Sequence, residues 1–149
     1  MVHHEISTNK KAYFDYEILE TYEAGIELLG HEVKAIKTGH INLGGSYVLI
    51  RNNEAYLLNA DIPPYQPKNT SPDYDPQRTR RLLLRREEIK ELVGKTHEKG
   101  LTIVPLKVYN KGRRIKIEIG LARGKKKSDK RETIRKRETQ REISRALKM

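Results

Sequence analysis

Residues 101–121 have the sequence Leu101-Thr-Ile-Val-Pro-Leu-Lys-Val-Tyr-Asn-Lys-Gly-Arg-Arg-Ile-Lys-Ile-Glu-Ile-Gly-Leu121. Residues that favour strands fill its two halves, 101–109 and 114–121. The segment between them, Asn110-Lys-Gly-Arg113, supplies an Asn and a Gly, which tolerate the left-handed backbone of a tight turn. The stretch therefore predicts a β-hairpin.

The second strand of this hairpin alternates strictly along its length. Four apolar residues share one face and four other residues share the opposite face, namely Ile115, Ile117, Ile119 and Leu121 against Arg114, Lys116, Glu118 and Gly120. Such a pattern is typical of a strand with one buried and one exposed face. In the first strand, Pro105 has no N–H to donate, which predicts a sheet edge or a β-bulge there.

Outside this hairpin, three further segments are rich in residues that favour strands. Residues 13–20 contain Tyr, Phe and Ile, and residues 47–50 and 55–58 flank Arg51-Asn-Asn-Glu54. Because Asn tolerates left-handed backbone angles, the Asn-Asn pair predicts a second tight hairpin.

Two segments predict helices. Residues 80–93 repeat apolar residues near the helical period, with Gly94 as the predicted stop. A shorter helix is predicted over residues 26–37, with its end at Gly39. Five of the six prolines lie between residues 63 and 76, which predicts a long loop that is functional or mobile.

The order of these elements predicts the fold class and the domain organisation. Hairpins with two or three short helices between them fit a mainly β fold, a small antiparallel OB-like β-barrel. A length of 149 residues is that of one domain. We expect the barrel to occupy residues 1–121 and a basic tail to occupy residues 122–149.

The charge is divided unevenly between these two parts. The chain has 31 Lys and Arg against 20 Asp and Glu, a net charge of +11. Residues 1–120 carry +3 and residues 121–149 carry +8. Apolar residues are sparse in the tail, so its ordering is not repaid by burial. We expect it to be disordered when free and helical when bound to a polyanion, the alternative being a permanently disordered solubility tail.

The sequence argues against several classes of protein. It contains no Cys, which rules out disulfides, thiolate metal sites and Cys nucleophiles. The segment Gly120-Leu-Ala-Arg-Gly124 has one residue too few between its glycines for a Walker loop. No Ser, His and Asp arrangement can be defended. We therefore predict neither enzymatic activity nor catalytic residues, and neither a cofactor nor a metal site.

The chain also lacks membrane signals. No apolar run approaches the roughly 18 residues that a membrane span needs. Residues 1–5, Met-Val-His-His-Glu, lack the apolar stretch of a signal peptide. We expect a cytoplasmic monomer without a membrane partner.

Clustered cations point to a nucleic-acid partner. Four basic patches are interleaved with tyrosines: Asn9-Lys10-Lys11, Arg78-Thr-Arg-Arg81 with Arg85-Arg86, Arg113-Arg114 with Lys116, and residues 123–131. Cations attract phosphates and Tyr rings stack on unpaired bases, so nucleic-acid binding, with RNA slightly ahead of DNA, is favoured over a merely solvated surface. A ribosomal or ribosome-assembly protein anchored to ribosomal RNA by its tail, and a small nucleic-acid hydrolase, are the alternatives.

Seven strings, in order from Asn9 to the end of the chain, resemble one family. They are Asn9-Lys-Lys-Ala12, Tyr22-Glu-Ala-Gly-Ile26, Glu32-Val-Lys34, Arg80-Arg-Leu-Leu-Leu84, Gly100-Leu-Thr-Ile-Val-Pro-Leu106, Gly120-Leu-Ala-Arg-Gly-Lys-Lys126 and Asp129-Lys-Arg131. Together they resemble the small protein B (SmpB) family of SsrA-binding proteins. The resemblance implies an OB-like barrel that binds the tRNA-like domain of transfer-messenger RNA (tmRNA) and delivers it to stalled ribosomes in trans-translation.

The resemblance also implies roles for particular residues. The barrel would mimic the anticodon arm of a tRNA, while the tail enters the empty mRNA channel of the small ribosomal subunit past the decoding centre. Family residues that bind RNA fall on Glu23, Leu83 and Lys116. The family's tail motif falls on Gly124, Lys125, Lys126, Asp129, Lys130 and Arg131. With the cations of the patches, the predicted RNA-binding set is Asn9, Lys10, Lys11, Glu23, Arg81, Leu83, Arg114 and Lys116.

The residues themselves support these roles unequally. Lys116 is expected to face outward, whereas a core position is equally natural for Leu83. Glu23 repels phosphate, so it either accepts from base amino groups or anchors a neighbouring Lys. Asp129 can cap a helix. Many family members have His or an aromatic residue where this chain has Ser128, so stacking on a base at that position is in doubt.

Overall fold

The computed structural model describes residues 3–98 and 100–148. Met1 and Val2 of the stretch considered for a signal peptide, and Met149 of the predicted tail, lie outside the described residues. Seven strands and four α-helices follow one another in this order: β1 (His3–Thr8), α1 (Lys10–Asp15), β2 (Tyr16–Ile26), α2 (Gly30–Lys37), β3 (Tyr47–Arg51), β4 (Glu54–Leu58), β5 (Arg80–Leu83), α3 (Arg86–Thr96), β6 (Leu101–Lys111), β7 (Arg114–Gly124) and α4 (Lys127–Lys148).

The strand pairings close the sheet on itself. All pairs are antiparallel, in the order β1-β6-β3-β4-β5-β2-β7, and β7 pairs again with β6. Strand β6 meets β7 along one edge, and β3 and β1 along the other. The core inside this ring is aliphatic, with Leu57, Ile117 and Ile119 among its fully buried side chains. The mainly β, OB-like fold with helices is confirmed.

Both predicted hairpins are confirmed. In the β6–β7 hairpin Lys111 pairs with Arg114, and Gly112 takes a φ of 63° in the turn. Its register shifts between Pro105 and Lys107, which is the predicted bulge. In the β3–β4 hairpin the turn residues Asn52 and Asn53 have φ values of 51° and 60°.

The bulge at Leu106 supports a second, smaller cluster on the outside of the barrel. Leu106 packs with Ala12, Val104 and Ala122, so helix α1 covers this part of the outer face. A Cβ on Gly120 would lie 2.8 Å from Cδ1 of Leu106. Glycine is therefore favoured where β7 passes beneath the bulge, because a larger residue would displace the Leu106 side chain.

Two predicted elements near the ends of β2 were wrong in part. Residues 13–15 belong to helix α1 and not to a strand, because the Asn9 side chain accepts a hydrogen bond from the Ala12 amide, 3.2 Å away, and caps that helix. The second predicted helix begins at Gly30, since β2 continues to Ile26. It ends as predicted at Gly39, whose φ of 87° and bond to the carbonyl of Ile36 form a left-handed cap.

The predicted helix over residues 80–93 was wrong at its start. Residues 80–83 form strand β5, whose side chains alternate between buried and exposed, and α3 runs from Arg86 past Gly94 to Thr96. Arg80 and Leu82 are the inward-facing residues of this strand. The buried charge at Arg80 hides the alternation, since a sequence pattern counts Arg as a surface residue.

A buried ion pair explains how Arg80 is accommodated. Its guanidinium Nε lies 2.8 Å from Oε2 of Glu32 on α2, and both side chains are fully buried. Arg78 donates to the same carboxylate, and the hydroxyl of Tyr74 lies 2.9 Å from Oε2. The guanidinium of Arg80 also donates to the carbonyl of Pro76, 2.9 Å away. The predicted long loop is therefore fastened at its end to α2 and β5.

Ionisation of Glu32 is strongly favoured in this setting. Burial raises the pKa of its carboxyl, but hydrogen bonds from Arg78, the Leu29 amide and Arg80 outweigh burial and bring the pKa to about 2.

Among the described helices, none combines the length and apolar character needed to cross a membrane.

Candidate nucleic-acid interface

Three strands meet at Gly25 on the outside of the barrel. Gly25 of β2 lies between Leu83 of β5 and Lys116 of β7 in the strand register. A Cβ on Gly25 would lie 3.3 Å from Cβ of Leu83, so Leu83 lies across the bare backbone of β2. The side chains of Arg114 and Lys116 line the same shallow depression. We call Glu23, Gly25, Leu83, Arg114 and Lys116 the Gly25 face.

The Gly25 face combines an exposed apolar side chain with two cations. Leu83 is 47% exposed, which places it on the surface and leaves Leu82 to fill the core. Arg114 is exposed and Lys116 is half-buried. Neither cation has an ion-pair partner among the described residues. Such a surface can pack against a sugar or base while its cations contact phosphates.

Glu23 lies beside these cations and is held from two directions. The hydroxyl of Tyr109 donates to its Oε2 over 2.5 Å, and Nζ of Lys111 lies 3.0 Å from its Oε1. The Tyr109 hydroxyl and Lys111 lower the pKa of the Glu23 carboxyl. Burial and the Glu23 carboxylate raise the pKa of Tyr109, which stays a neutral donor. Glu23 thus anchors Lys111, as one of the two interpretations of Glu23 predicted. The side chain of Glu23 remains 35% exposed.

Sequence reasoning missed Tyr109, Lys111 and Gly25 as parts of this surface. The strand period carried the only signal, because residues two apart share a face: Gly25 follows Glu23, and Lys111 follows Tyr109. The contact between Glu23 and Tyr109 joins residues 86 positions apart. That pairing depends on the register of three strands, which the sequence pattern does not specify.

The predicted patch at residues 78–81 is not a free cationic surface. Arg78 and Arg80 both bond to the carboxylate of Glu32 and share its single negative charge. Arg81 points outward on β5, but it pairs with Glu27 at 3.2 Å and with Glu54 at 3.0 Å. The prediction that these three arginines form a free patch for RNA phosphates is corrected, because acidic residues distant in the sequence occupy them.

The Asn9-Lys10-Lys11 patch lies elsewhere, at the start of α1. Asn9 is only 5% exposed, and its amide donates to the carbonyls of Pro105, 2.8 Å away, and Leu43, 3.4 Å away. Its polar atoms are used within the protein, so it positions α1. Lys10 and Lys11 are exposed and separate from the Gly25 face.

The tail motif follows β7 directly and returns to α1. Gly124 ends β7, and Nζ of Lys125 lies 3.2 Å from the Tyr13 carbonyl and 2.9 Å from the hydroxyl of Thr133. Lys130 pairs with Asp15 at 3.3 Å. The first turns of α4 are therefore fixed to α1.

Phe14 of α1 adds an aromatic contact to the same helix. Nζ of Lys130 lies 5.8 Å from the centre of its ring, and the guanidinium carbon of Arg137 lies 5.5 Å from it. Both are cation–π distances. An aromatic platform therefore meets the tail from the body of the protein.

The remaining residues of the tail motif face solvent. Lys126, Asp129 and Arg131 are exposed. Asp129 lies inside the first turn of α4 and accepts from the Lys126 amide over 3.3 Å, so the helix begins three residues earlier than a cap at Asp129 implies. In the described part of the chain, no three His, Asp or Glu side chains are grouped to hold a metal ion.

The fold and its surface define a class, a small antiparallel OB-like barrel that carries cationic patches on its outer face. The sequence places the chain more narrowly within this class. The chain belongs to the SmpB protein family, whose sequence profile matches residues 6–149. The predicted family resemblance is confirmed.

Known relatives cover nearly the whole chain. It is 55% identical to the SsrA-binding protein of Gloeothece citriformis over 96% of this chain and 92% of that protein. It is 52% identical to the SsrA-binding protein of Thermosynechococcus vestitus over 96% of this chain and 94% of that protein. A chain in the solved structure "tmRNA-SmpB: a journey to the center of the bacterial ribosome" is 46% identical, with a TM-score of 0.68 over 87% of this chain and 94% of that chain.

Proposed function

We propose that this protein binds SsrA RNA, the tmRNA of trans-translation, and delivers it to stalled ribosomes. The observation that carries the proposal is the Gly25 face, where an exposed leucine and two unpaired cations line one depression and the anchored carboxylate of Glu23 lies two residues before Gly25 on β2. Membership of a family of SsrA-binding proteins selects tmRNA among the RNAs that such a face fits.

Each residue of the face has a distinct part in holding the RNA. Arg114 and Lys116 contact backbone phosphates, and Leu83 packs against an exposed sugar or base. The Glu23 carboxylate, ionised and fixed by Tyr109, accepts a hydrogen bond from a base amino group. A phosphate-binding cation cannot recognise such an amino group. Lys10 and Lys11 make further phosphate contacts, with Asn9 holding α1 in place, whereas Arg81 is left to its pairs with Glu27 and Glu54. The protein acts by binding alone, in the cytoplasm and as a single chain.

The body and the tail have separate tasks in this proposal. The barrel of residues 1–121 holds the tRNA-like domain and stands in for the anticodon arm. The tail, expected over residues 122–149, begins after β7 ends at Gly124 and enters the empty mRNA channel beyond the decoding centre, where Lys126, Asp129 and Arg131 are free to contact ribosomal RNA. An mRNA that still fills the channel blocks this entry.

Beyond residues 127–137, which contact α1, the tail is disordered in the free protein and takes the form of α4 in the channel. Its apolar side chains remain open to solvent even in the helix, with Ile134 42%, Ile143 48% and Leu147 83% exposed. An isolated helix without packing is marginal in water, so neutralisation of its cations by RNA stabilises it. The contacts of Phe14 and Asp15 with α4 mark where the helix starts to form.

The binding half of the proposal is tested on the isolated tRNA-like domain of SsrA RNA. In a filter-binding titration at several salt concentrations, Lys116→Ala weakens binding and lowers the slope of log K against log salt by about one. Lys68→Ala, which removes an exposed cation that does not line the Gly25 face, is the matched control and leaves both unchanged. A wild-type protein that does not prefer this RNA to an unrelated hairpin of equal length refutes the proposal.

The tail half is tested by truncation after Gly124. The truncated protein keeps nearly all of its affinity for the tRNA-like domain, because the Gly25 face is intact. In a reconstituted translation reaction on an mRNA without a stop codon, it fails to rescue the ribosome. A large loss of affinity on truncation contradicts this division of labour.

A further inference from the structure

A second cationic groove adjoins the Gly25 face. It lies between the turn of the β3–β4 hairpin and helix α3, and Leu83 borders both surfaces. Its walls are formed by the turn residues Asn52 and Asn53 on one side and by Arg86 and Lys90 of α3 on the other. We call this depression the α3 groove.

The two cations of α3 that line the groove have no ion-pair partner among the described residues. Arg81, which also lines the groove, is paired with Glu27 and Glu54. Arg86 and Lys90 are exposed, and neither forms an ion pair with the described residues. They are four positions apart on α3, so they lie on one side of the helix and repel each other slightly. An anion between them removes this repulsion.

The opposite wall offers neutral hydrogen-bonding groups beside the carboxylate of Glu54, which is paired with Arg81. Asn52 and Asn53 are exposed, and their side-chain amides bond to no other described residue. Their left-handed backbone, with φ of 51° and 60°, turns the chain sharply at the tip of the hairpin. Each side-chain amide can both donate and accept, as contacts to a base edge or a ribose hydroxyl require.

We propose that the α3 groove is a second contact surface for the same RNA molecule that occupies the Gly25 face. This inference rests on the proposed function. It extends the path of the RNA from the Gly25 face across Leu83 into the α3 groove. Arg86 and Lys90 bind two backbone phosphates, while Asn52 and Asn53 contact sugars or base edges. The partner is RNA because the groove pairs unpaired cations with neutral amides beside an exposed leucine.

The size of the effect follows from counterion release. Each phosphate contact contributes about 0.7–0.9 to the slope of log K against log salt, so two contacts contribute about 1.4–1.8. Between about 50 and about 200 mM salt, the wild-type affinity therefore falls roughly tenfold more than that of a variant lacking both cations. At the lower salt concentration, the variant that lacks both cations also binds the RNA more weakly than the wild type does.

The test compares two double variants in binding to the tRNA-like domain of SsrA RNA. Arg86→Ala with Lys90→Ala lowers the salt slope by about 1.4–1.8. The matched control, Lys34→Ala with Lys37→Ala, also removes two exposed helical cations, but from α2 and outside both surfaces, and leaves the slope unchanged. Alanine is a strong helix former, so α3 persists, which a thermal melt of each variant verifies.

Three outcomes overturn the inference. Equal slopes for the two double variants mean that the groove does not touch the RNA. Unchanged binding to the tRNA-like domain together with weaker binding to ribosomes assigns the groove to ribosomal RNA instead. If Lys116→Ala weakens binding while the groove variant does not, the groove alone is refuted, whereas no preference of the wild type for this RNA refutes the proposed function itself.

A second pair of variants tests the amide wall. Asn52→Gly with Asn53→Gly keeps the left-handed turn, because glycine adopts positive φ without strain. Loss of the two amides lowers affinity several-fold without changing the salt slope, since no charge is removed. An unchanged affinity contradicts the role of the two amides.

Discussion

Replacing Glu32 with Gln is expected to destabilise the whole barrel. The substitution keeps the size of the side chain but removes the negative charge that faces the fully buried guanidinium of Arg80. Breaking a buried ion pair from one side leaves a stranded charge and destabilises a protein by about 3–5 kcal/mol. Natural domains unfold with only about 5–15 kcal/mol, so this loss is a large fraction of the total.

The exposed pair between Glu27 and Arg81 provides the matched control. Its two side chains are 53% and 43% exposed, so Glu27→Gln costs at most about 1 kcal/mol. The assay is chemical denaturation followed by circular dichroism, with a thermal melt beside it. At roughly 3–5 °C per kcal/mol, Glu32→Gln lowers Tm by roughly 10–20 °C and the control lowers it by a few degrees at most.

A third variant separates the stranded charge from other effects. Adding Arg80→Met to Glu32→Gln removes the unpaired cation and recovers part of the lost stability, because no buried charge remains. The reasoning fails if Glu32→Gln is no more destabilising than Glu27→Gln. It also fails if the double variant loses as much as the two single variants together.

Three other predictions concern acid, packing and the tail. Because the pKa of Glu32 lies near 2 in the folded protein and near 4.5 when unfolded, its stabilisation of about 3 kcal/mol is complete above pH 4.5 and is lost as the pH falls toward 2. Urea titrations should show the gap between wild type and Glu32→Gln steady from pH 7 to 5 and narrowing below 4.5; a gap already closed at pH 5 contradicts the assigned pKa. Gly120→Ala, whose Cβ would meet Leu106 at 2.8 Å, should lower unfolding free energy by about 1–3 kcal/mol, whereas Gly94→Ala, with open space around it, should raise it; equal effects in denaturation would disprove the close packing. Phe14→Ala removes two cation–π contacts of about 0.5–1 kcal/mol each and should speed amide exchange in residues 127–137 several-fold relative to Phe14→Leu; unchanged exchange would show that the ring does not hold α4.

The β-hairpins could be predicted because their signals are local. The alternation of Ile115, Ile117 and Ile119 sets which face of β7 is buried, and the Asn-Asn turn sets where β3 reverses. The start of α3 could not be predicted, since residues 80–83 become a strand by pairing with β4 and β2. Pairing with β4 and β2 outweighed the local helical periodicity of these residues.

The candidate site divides in the same way. Lys116 and Arg114 were predicted on the exposed side of β7 from alternation, and the structure places them there. Leu83 had only a weak local signal for exposure, because three leucines in succession cannot all point inward from one helix but do not show which of them is exposed. Its place beside Gly25 depends on the register between β5 and β2.

The sequence by itself determined the alternation of the strands, their tight turns, the family and the division of charge between body and tail. Each of these is determined by residues that lie close together in the sequence or by the number of charged residues. Only the tertiary structure decided which cations are free, because the one carboxylate that Arg78 and Arg80 share, that of Glu32, lies 46 and 48 positions away from them. Charge composition is a property of the chain, whereas neutralisation is a short-range electrostatic contact that exists only after folding has brought the partners within hydrogen-bonding distance.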